Sequence, residues 1–160
     1  MGLKDGYQRP AGALFYKIGL SSFDADNHKP VNDSFVENNY NNKNPLWNLR
    51  KLSSIAKQLN HSNRTLDILK IDTEGSEILA LEQALNDGYL QRNVKQVLIE
   101  WHLWKMALKK DHASLRKVFD VYNRMFANGF RMFFLGENSY RNVVKGIFPF
   151  TCLVNTKLFS

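Results

Sequence analysis

The segment LDILKIDTEGSE, residues 66–77, constrains the fold of this chain more than any other. Its first half carries apolar residues that would lie on both faces of an extended strand, at Ile68, Leu69 and Ile71. A strand with one face in solvent would instead alternate apolar and polar residues, so the pattern predicts an interior strand over 66–71. Three carboxylates follow immediately, at Asp72, Glu74 and Glu77. Ligand-binding groups of open α/β sheets lie just beyond the carboxyl ends of the strands, so we expect the functional site here.

Helical and extended patterns alternate along the rest of the chain. Apolar spacing predicts helices over 52–59, from about Gly75 to Asn86, and over 114–128. Asp72 or Thr73 is suited to cap the second of these helices, and Gly88 to end it. Further strands are predicted over 13–20, 95–101, 130–135 and 148–155. The order predicts an α/β fold with a doubly wound, mostly parallel sheet and an antiparallel carboxyl-terminal strand pair.

The chain divides into two parts by composition. Residues 1–45 are rich in glycine, asparagine and aspartate, with one short predicted strand over 13–20 and a long loop over 21–45. We expect this segment to be poorly anchored. Residues 46–160 carry the helical and strand patterns and form one α/β domain, because 160 residues are enough for a single core.

Charge and cysteine content exclude several classes of function. The net charge of +7 allows acidic partners, but the basic residues are scattered, so nucleic acid is not predicted as the main ligand. Cys152 is the only cysteine, which excludes an internal disulfide and a cysteine-based zinc site, and the sequence predicts no metal site. No apolar stretch reaches about 18 residues, so no membrane-spanning helix is predicted.

Four ionisable residues are predicted to meet at one edge of the sheet. Side chains alternate along a strand, so Lys70 and Asp72 share one face, as do Glu100 and His102 on the strand over 95–101. One interpretation is a buried salt bridge of Lys70 with Glu100 or Asp72. The other is a site for a polar ligand in which His102 accepts a proton near neutral pH.

The sequence LDILKIDTEGSEILAL, from Leu66 to Leu81, resembles the motif IDILKIDxEGxE of FkbM-type methyltransferases and the related methyltransferase-like proteins of animals. The segment QVLIEWHLW is similar to the next strand of that family, which ends in a Glu-x-His pattern, here Glu100 and His102. The resemblance implies a Rossmann-like domain that uses S-adenosylmethionine as cofactor. The expected reaction is methyl transfer to an oxygen of a small molecule or a sugar.

The same resemblance implies roles for individual residues. Asp72 and Glu74 would bind the cofactor, Asp72 and His102 would be catalytic, and Glu100 and Lys70 would bind the substrate. A carboxylate suits a site that holds a positively charged sulfonium and an ammonium group. If the acceptor is a hydroxyl, Asp72 or His102 would take its proton.

One expected feature of a methyl-donor site is missing from the sequence. The nine glycines include no G-x-G pair, so the glycine-rich turn that such a site normally has is not present. We therefore expect an incomplete domain that has, on its own, little or no affinity for the methyl donor, with an unpaired edge on the strand over 66–71. Two alternatives remain: a non-catalytic α/β binding module whose basic surface contacts acidic partners, and a phospho-acceptor domain with Asp72 as the acceptor.

Overall fold

The fold is seen in a computed structural model that describes residues 4–30, 46–103, 106, 110–137 and 149–158. The strands in this part of the chain are β1 (Tyr7–Gln8), β2 (Leu14–Phe15), β3 (Gly19–Leu20), β4 (Ala25–His28), β5 (Trp47–Arg50), β6 (Leu66–Ile71), β7 (Val94–Glu100), β8 (Phe130–Glu137) and β9 (Pro149–Asn155). Its helices are α1 (Leu52–Gln58), α2 (Glu77–Asn86), α3 (Tyr89–Asn93) and α4 (His112–Ala127). These elements make a mixed α/β fold.

The largest sheet positions the candidate site. Its strand order is β6–β7–β9–β8, with β6 and β7 parallel and the other two pairings antiparallel. The predicted antiparallel pair at the carboxyl end is confirmed by β8 and β9. In the register of β6 and β7, Ile71 lies opposite Ile99, so the two strands end at the same edge of the sheet.

The strand β6 lies at the edge of this sheet. Among the described residues it pairs with β7 alone, and the side chain of Ile68 is 60% exposed. The prediction of an interior strand is therefore wrong for this structure, whereas the expected unpaired edge on this strand is confirmed within the described part of the chain. The apolar pattern indicates which side chains tend to be buried, but it does not identify the strands that pair with β6.

The predicted strand over 13–20 is also wrong as a single element. It is divided into β2, which pairs with β1, and β3, which pairs with β5. Between them the N–H of Lys17 donates to Asp5 at 2.7 Å, and the N–H of Ile18 donates to the carbonyl of Tyr16 at 2.9 Å. These local hydrogen bonds turn the backbone and end the extended run.

A further strand lies inside the loop that was predicted over 21–45. It is β4, which joins β3 and β5 in a small sheet of order β3–β5–β4. Residues 31–45 of that loop lie outside the described residues. None of the described residues 4–30 is buried, and the division of the chain at residue 45 stays a prediction.

The helices follow the predicted pattern with shifted ends. Helix α2 begins at Glu77, two residues later than predicted, and neither Asp72 nor Thr73 occupies its N-cap position, which belongs to Ser76. Gly88 has φ of 75°, so the predicted left-handed stop is confirmed. Helix α4 is capped by Asp111, which accepts from the N–H of Ser114 at 3.0 Å.

The core packs α2 and α4 against the large sheet. Its fully buried side chains come from strands and helices alike: Ile71, Leu81, Leu90, Val94, Val97, Ile99, Val121, Met125, Phe130 and Leu153. At its edge, the indole N–H of buried Trp101 donates to Thr151 at 2.9 Å, which fixes the chain just before His102. No described helix is long and apolar enough to cross a membrane.

Candidate active site

The candidate site is built where β6 and β7 end. The segment 72–76 follows β6 and leads into α2, and residues 101–103 follow β7. Because the two strands are parallel and in register, both segments leave the sheet at the same edge. Asp72 lies one residue beyond the end of β6, and His102 lies two residues beyond the end of β7. Their side chains are therefore brought together.

Glu77 holds the segment between β6 and α2 in place. Its side chain is 1% exposed, and its Oε1 accepts from the N–H of Thr73 at 2.8 Å and from the N–H of Gly75 at 3.1 Å. The hydroxyl of Thr73 also donates to this oxygen, at 3.2 Å. The loop has an irregular backbone, with a left-handed φ of 57° at Glu74 and a φ of 119° at Gly75. The carboxylate of Glu77 nevertheless accepts hydrogen bonds from the N–H groups on either side of Glu74.

His102 is buried against the same carboxylate. Its side chain is 3% exposed, and Nδ1 lies 2.8 Å from Oε1 of Glu77. On the other side of the ring, Nε2 lies 3.5 Å from Oε2 of Glu74 and 3.8 Å from Oδ1 of Asp72. The imidazole therefore sits among three carboxylates, one buried and two in contact with solvent.

This arrangement shifts the protonation of both buried groups. Burial acts to lower the pKa of His102, but its hydrogen bond to Glu77 and the charges of Glu77, Glu74 and Glu100 outweigh burial and raise that pKa above its usual value. Burial acts to raise the pKa of Glu77, but the hydrogen bonds from His102, Gly75 and Thr73 outweigh it and hold that pKa below its usual value. The pair therefore favours an ionised carboxylate beside a protonated ring.

The structure brings the site residues that were predicted from the sequence to one edge of the large sheet, but they differ in how closely they contact one another. Lys70 Nζ lies 3.3 Å from Oδ2 of Asp72, and the two side chains are 59% and 35% exposed. The predicted buried salt bridge is therefore wrong, because this pair is solvated. The charge of Glu100 also contributes to the electrostatic field at His102.

Sequence reasoning missed Glu77 as a site residue. A glutamate in the first turn of a helix is ordinarily explained by the helix dipole, and that interpretation needs no site. The available signal was helical spacing: Glu77 shares the buried stripe of α2 with Leu81, Ala84 and Leu85. A carboxylate on an apolar stripe must be paired, because an unpaired buried charge is too costly.

A cavity of about 240 Å³ lies beside the loop. Gly75, Ser76 and Leu79 line it on the side of α2, and the small sheet supplies the other walls through Phe23, His28, Trp47 and neighbouring residues. Glu74 immediately precedes Gly75 in the chain, but Asp72, Glu74 and His102 are not among the residues that line the cavity. Its walls combine aliphatic and aromatic side chains with the polar side chains of Ser21, Ser22, Ser76 and His28.

Comparison with protein families identifies the class to which this fold and site belong. A family model described as a methyltransferase domain matches residues 8–147, a span that contains β6, β7 and every residue of the candidate site. The chain belongs to this family of methyltransferase domains, and methyl transfer is the general function that membership supports. Neither the search of curated proteins nor that of solved structures returned a match.

Proposed function

We propose that this protein transfers a methyl group from S-adenosylmethionine to an oxygen of a small molecule or a sugar, as an FkbM-like enzyme with a Rossmann-like, doubly wound sheet. The observation that carries the proposal is the meeting of Asp72, Glu74 and His102 at the common edge of β6 and β7, within the span that matches the methyltransferase family.

The chemistry of the donor suits this group of side chains. S-adenosylmethionine carries a positive sulfonium and an ammonium group, and Asp72 and Glu74 offer partly exposed carboxylates that attract both. Lys70 and Glu100 flank these groups and would contact the acceptor. A lysine beside a carboxylate can donate to an acceptor oxygen, whereas a glutamate can accept from its hydroxyl groups.

The transfer step is an in-line displacement. The acceptor oxygen attacks the methyl carbon, the bond from that carbon to sulfur breaks, and the donor leaves as a neutral thioether. The hydroxyl proton passes to Asp72, or to His102 when its ring is neutral. Positioning of the two reactants supplies much of the rate in such a reaction, and the anchored loop 72–76 provides a fixed wall.

The Asp72→Asn substitution is expected to weaken donor binding by about tenfold or more, because a hydrogen bond to a charged group contributes roughly 1.5–3 kcal/mol. Calorimetric titration of the full-length protein with S-adenosylmethionine measures this directly. Asp67→Asn is the matched control, since Asp67 lies on the same strand with a side chain that is 79% exposed and paired with Lys95. Equal donor affinity in the wild type and in Asp72→Asn would remove Asp72 from the site.

A methyl-transfer assay separates this proposal from the binding-module alternative. Labelled donor is incubated with the full-length protein and a panel of hydroxylated small molecules and sugars, and transfer is counted in the products. Transfer that falls in His102→Gln and Asp72→Asn but not in Asp67→Asn supports the proposed roles. The absence of both donor binding and transfer in the full-length protein would favour a binding module for acidic partners.

A further inference from the structure

We propose that Asp72, Glu74 and His102 bind a divalent cation. Each side chain offers one ligand atom, and these atoms all lie within 4.8 Å of one another. The distances from Nε2 of His102, 3.5 Å to Glu74 and 3.8 Å to Asp72, are longer than ordinary hydrogen bonds. Ligand bonds of about 2.0–2.2 Å to a central ion separate neighbouring ligand atoms by roughly 3.0–3.6 Å, so small side-chain movements complete the site.

The environment of His102 is the independent observation that favours a cation. Metal-binding histidines commonly direct their second ring nitrogen to a carboxylate, which fixes both the tautomer and the ring orientation. Here the side chain of His102 is 97% removed from solvent, and Glu77 contacts Nδ1 at 2.8 Å while itself being 1% exposed. The opposite nitrogen is thereby directed at the two partly exposed carboxylates, and an ion would bind there by displacing the proton of the charged ring.

Local charge also favours a cation over an anion. Asp72, Glu74 and Glu77 lie at the site, and Glu100 adds to its field, although the chain as a whole has a net charge of +7. Lys70, the neighbouring positive group, contacts Asp72 at 3.3 Å through a side chain that is 59% exposed. It can turn to solvent when an ion arrives, because exposed pairs of this kind contribute little to stability.

The ligand set indicates the kind of cation. Carboxylates suit Mg²⁺, Ca²⁺ and Mn²⁺, whereas an imidazole suits Zn²⁺ and other first-row transition metals, so a set with both favours Mn²⁺ or Zn²⁺. The carboxylate side chains are 35% and 46% exposed, which leaves the outer side of the ion open to water or a ligand oxygen. This goes beyond the proposed function and revises its roles: with an ion bound, Asp72, Glu74 and His102 would be its ligands in place of donor-binding and proton-accepting groups, and the ion would polarise the acceptor hydroxyl.

The sequence predicted that Asp72 and His102 lie at one edge of the sheet but predicted no metal site, because the ligands come from two strand ends about thirty positions apart and no spacing rule joins them. Only the parallel register of β6 and β7, together with Glu77 from α2, brings the three groups together.

Titration with Mn²⁺ alone tests the proposal, without donor or acceptor present. Free Mn²⁺ is followed by electron paramagnetic resonance and the heat by calorimetry, with Zn²⁺ in a parallel series. We expect saturable binding of one ion per chain in the wild type. The double variant Asp72→Asn with Glu74→Gln should bind at least about tenfold more weakly, and Glu77→Gln about 10- to 100-fold more weakly, as is typical when the partner of a metal-binding histidine is removed.

The matched control is the double variant Asp67→Asn with Glu82→Gln. It removes the same two charges from exposed surface pairs, those of Asp67 with Lys95 and of Glu82 with Lys117, and should bind Mn²⁺ like the wild type. The proposal is overturned if the wild type shows no saturable binding of Mn²⁺ or Zn²⁺, or if the two double variants bind alike. Because no methyl donor is used, this outcome is independent of whether the protein is a methyltransferase.

Discussion

Replacing Glu77 with alanine is expected to lower the free energy of unfolding by about 3–5 kcal/mol, the usual cost of removing one partner of a buried charged pair. The substitution leaves four donors without their acceptor: the N–H groups of Thr73 and Gly75, the hydroxyl of Thr73 and the Nδ1 of His102. His102 is almost fully buried and cannot recover this contact from water without opening the structure. The loop between β6 and α2 should also lose its fixed conformation.

Urea denaturation of three variants measures this effect. Glu77→Gln retains an oxygen for the two backbone N–H groups but removes the charge that faces His102, so its loss should be smaller than that of Glu77→Ala. Glu82→Ala removes a half-exposed glutamate from the same helix and should stay within about 0.5 kcal/mol of the wild type. If Glu77→Ala unfolds at the same urea concentration as Glu82→Ala, the carboxylate does not anchor the site.

The Phe130→Ala substitution is expected to cost about 3–5 kcal/mol of stability, because it removes a fully buried aromatic ring and leaves a cavity. Phe130 begins β8 and has no exposed surface in a core shared with Met125 of α4 and Leu153 of β9. Its loss weakens the contact between the last helix and the antiparallel strand pair.

Thermal and urea unfolding of Phe130→Ala and Phe133→Ala provide the comparison. Phe133 lies on the same strand with 59% of its side chain exposed, so its replacement should change stability by less than about 0.5 kcal/mol. Similar losses in the two variants would mean that Phe130 is not part of the core in solution.

The sequence predicted the elements whose burial shows as a long, regular pattern. Helix α4 and strand β7 were predicted to within about two residues, because the helix repeats its apolar stripe over several turns and the strand carries a run of apolar residues at 97–99. The segment over 13–20 was too short for such a signal, and its course is set by the side chain of Asp5, twelve residues from Lys17. The apolar pattern of β6 did not indicate its edge position, which was expected instead from the missing glycine-rich part of the domain.

The site was predicted in part for the same physical reason. Alternation along strands placed Asp72 and His102 beyond two strand ends, and the parallel register then brought them to 3.8 Å. Glu77 was not predicted, because its role depends on the burial of the first turn of α2 against a histidine 25 residues away. The catalytic, cofactor-binding and substrate-binding roles assigned to Asp72, His102, Glu74, Glu100 and Lys70 stay predictions for the experiments above.

A single oxygen atom, Oε1 of Glu77, receives the contacts of Thr73, Gly75 and His102 together. The orientation of the imidazole and the conformation of the loop are consequently coupled. A rotation of the ring of His102 would displace the Glu77 oxygen that also accepts hydrogen bonds from the loop backbone. Directed evolution for a new acceptor should therefore find few tolerated changes at Thr73, Gly75, Glu77 or His102. Useful diversity is expected instead at the solvent-facing side chain of residue 70, which is proposed to contact the acceptor and can change without disturbing that shared anchor.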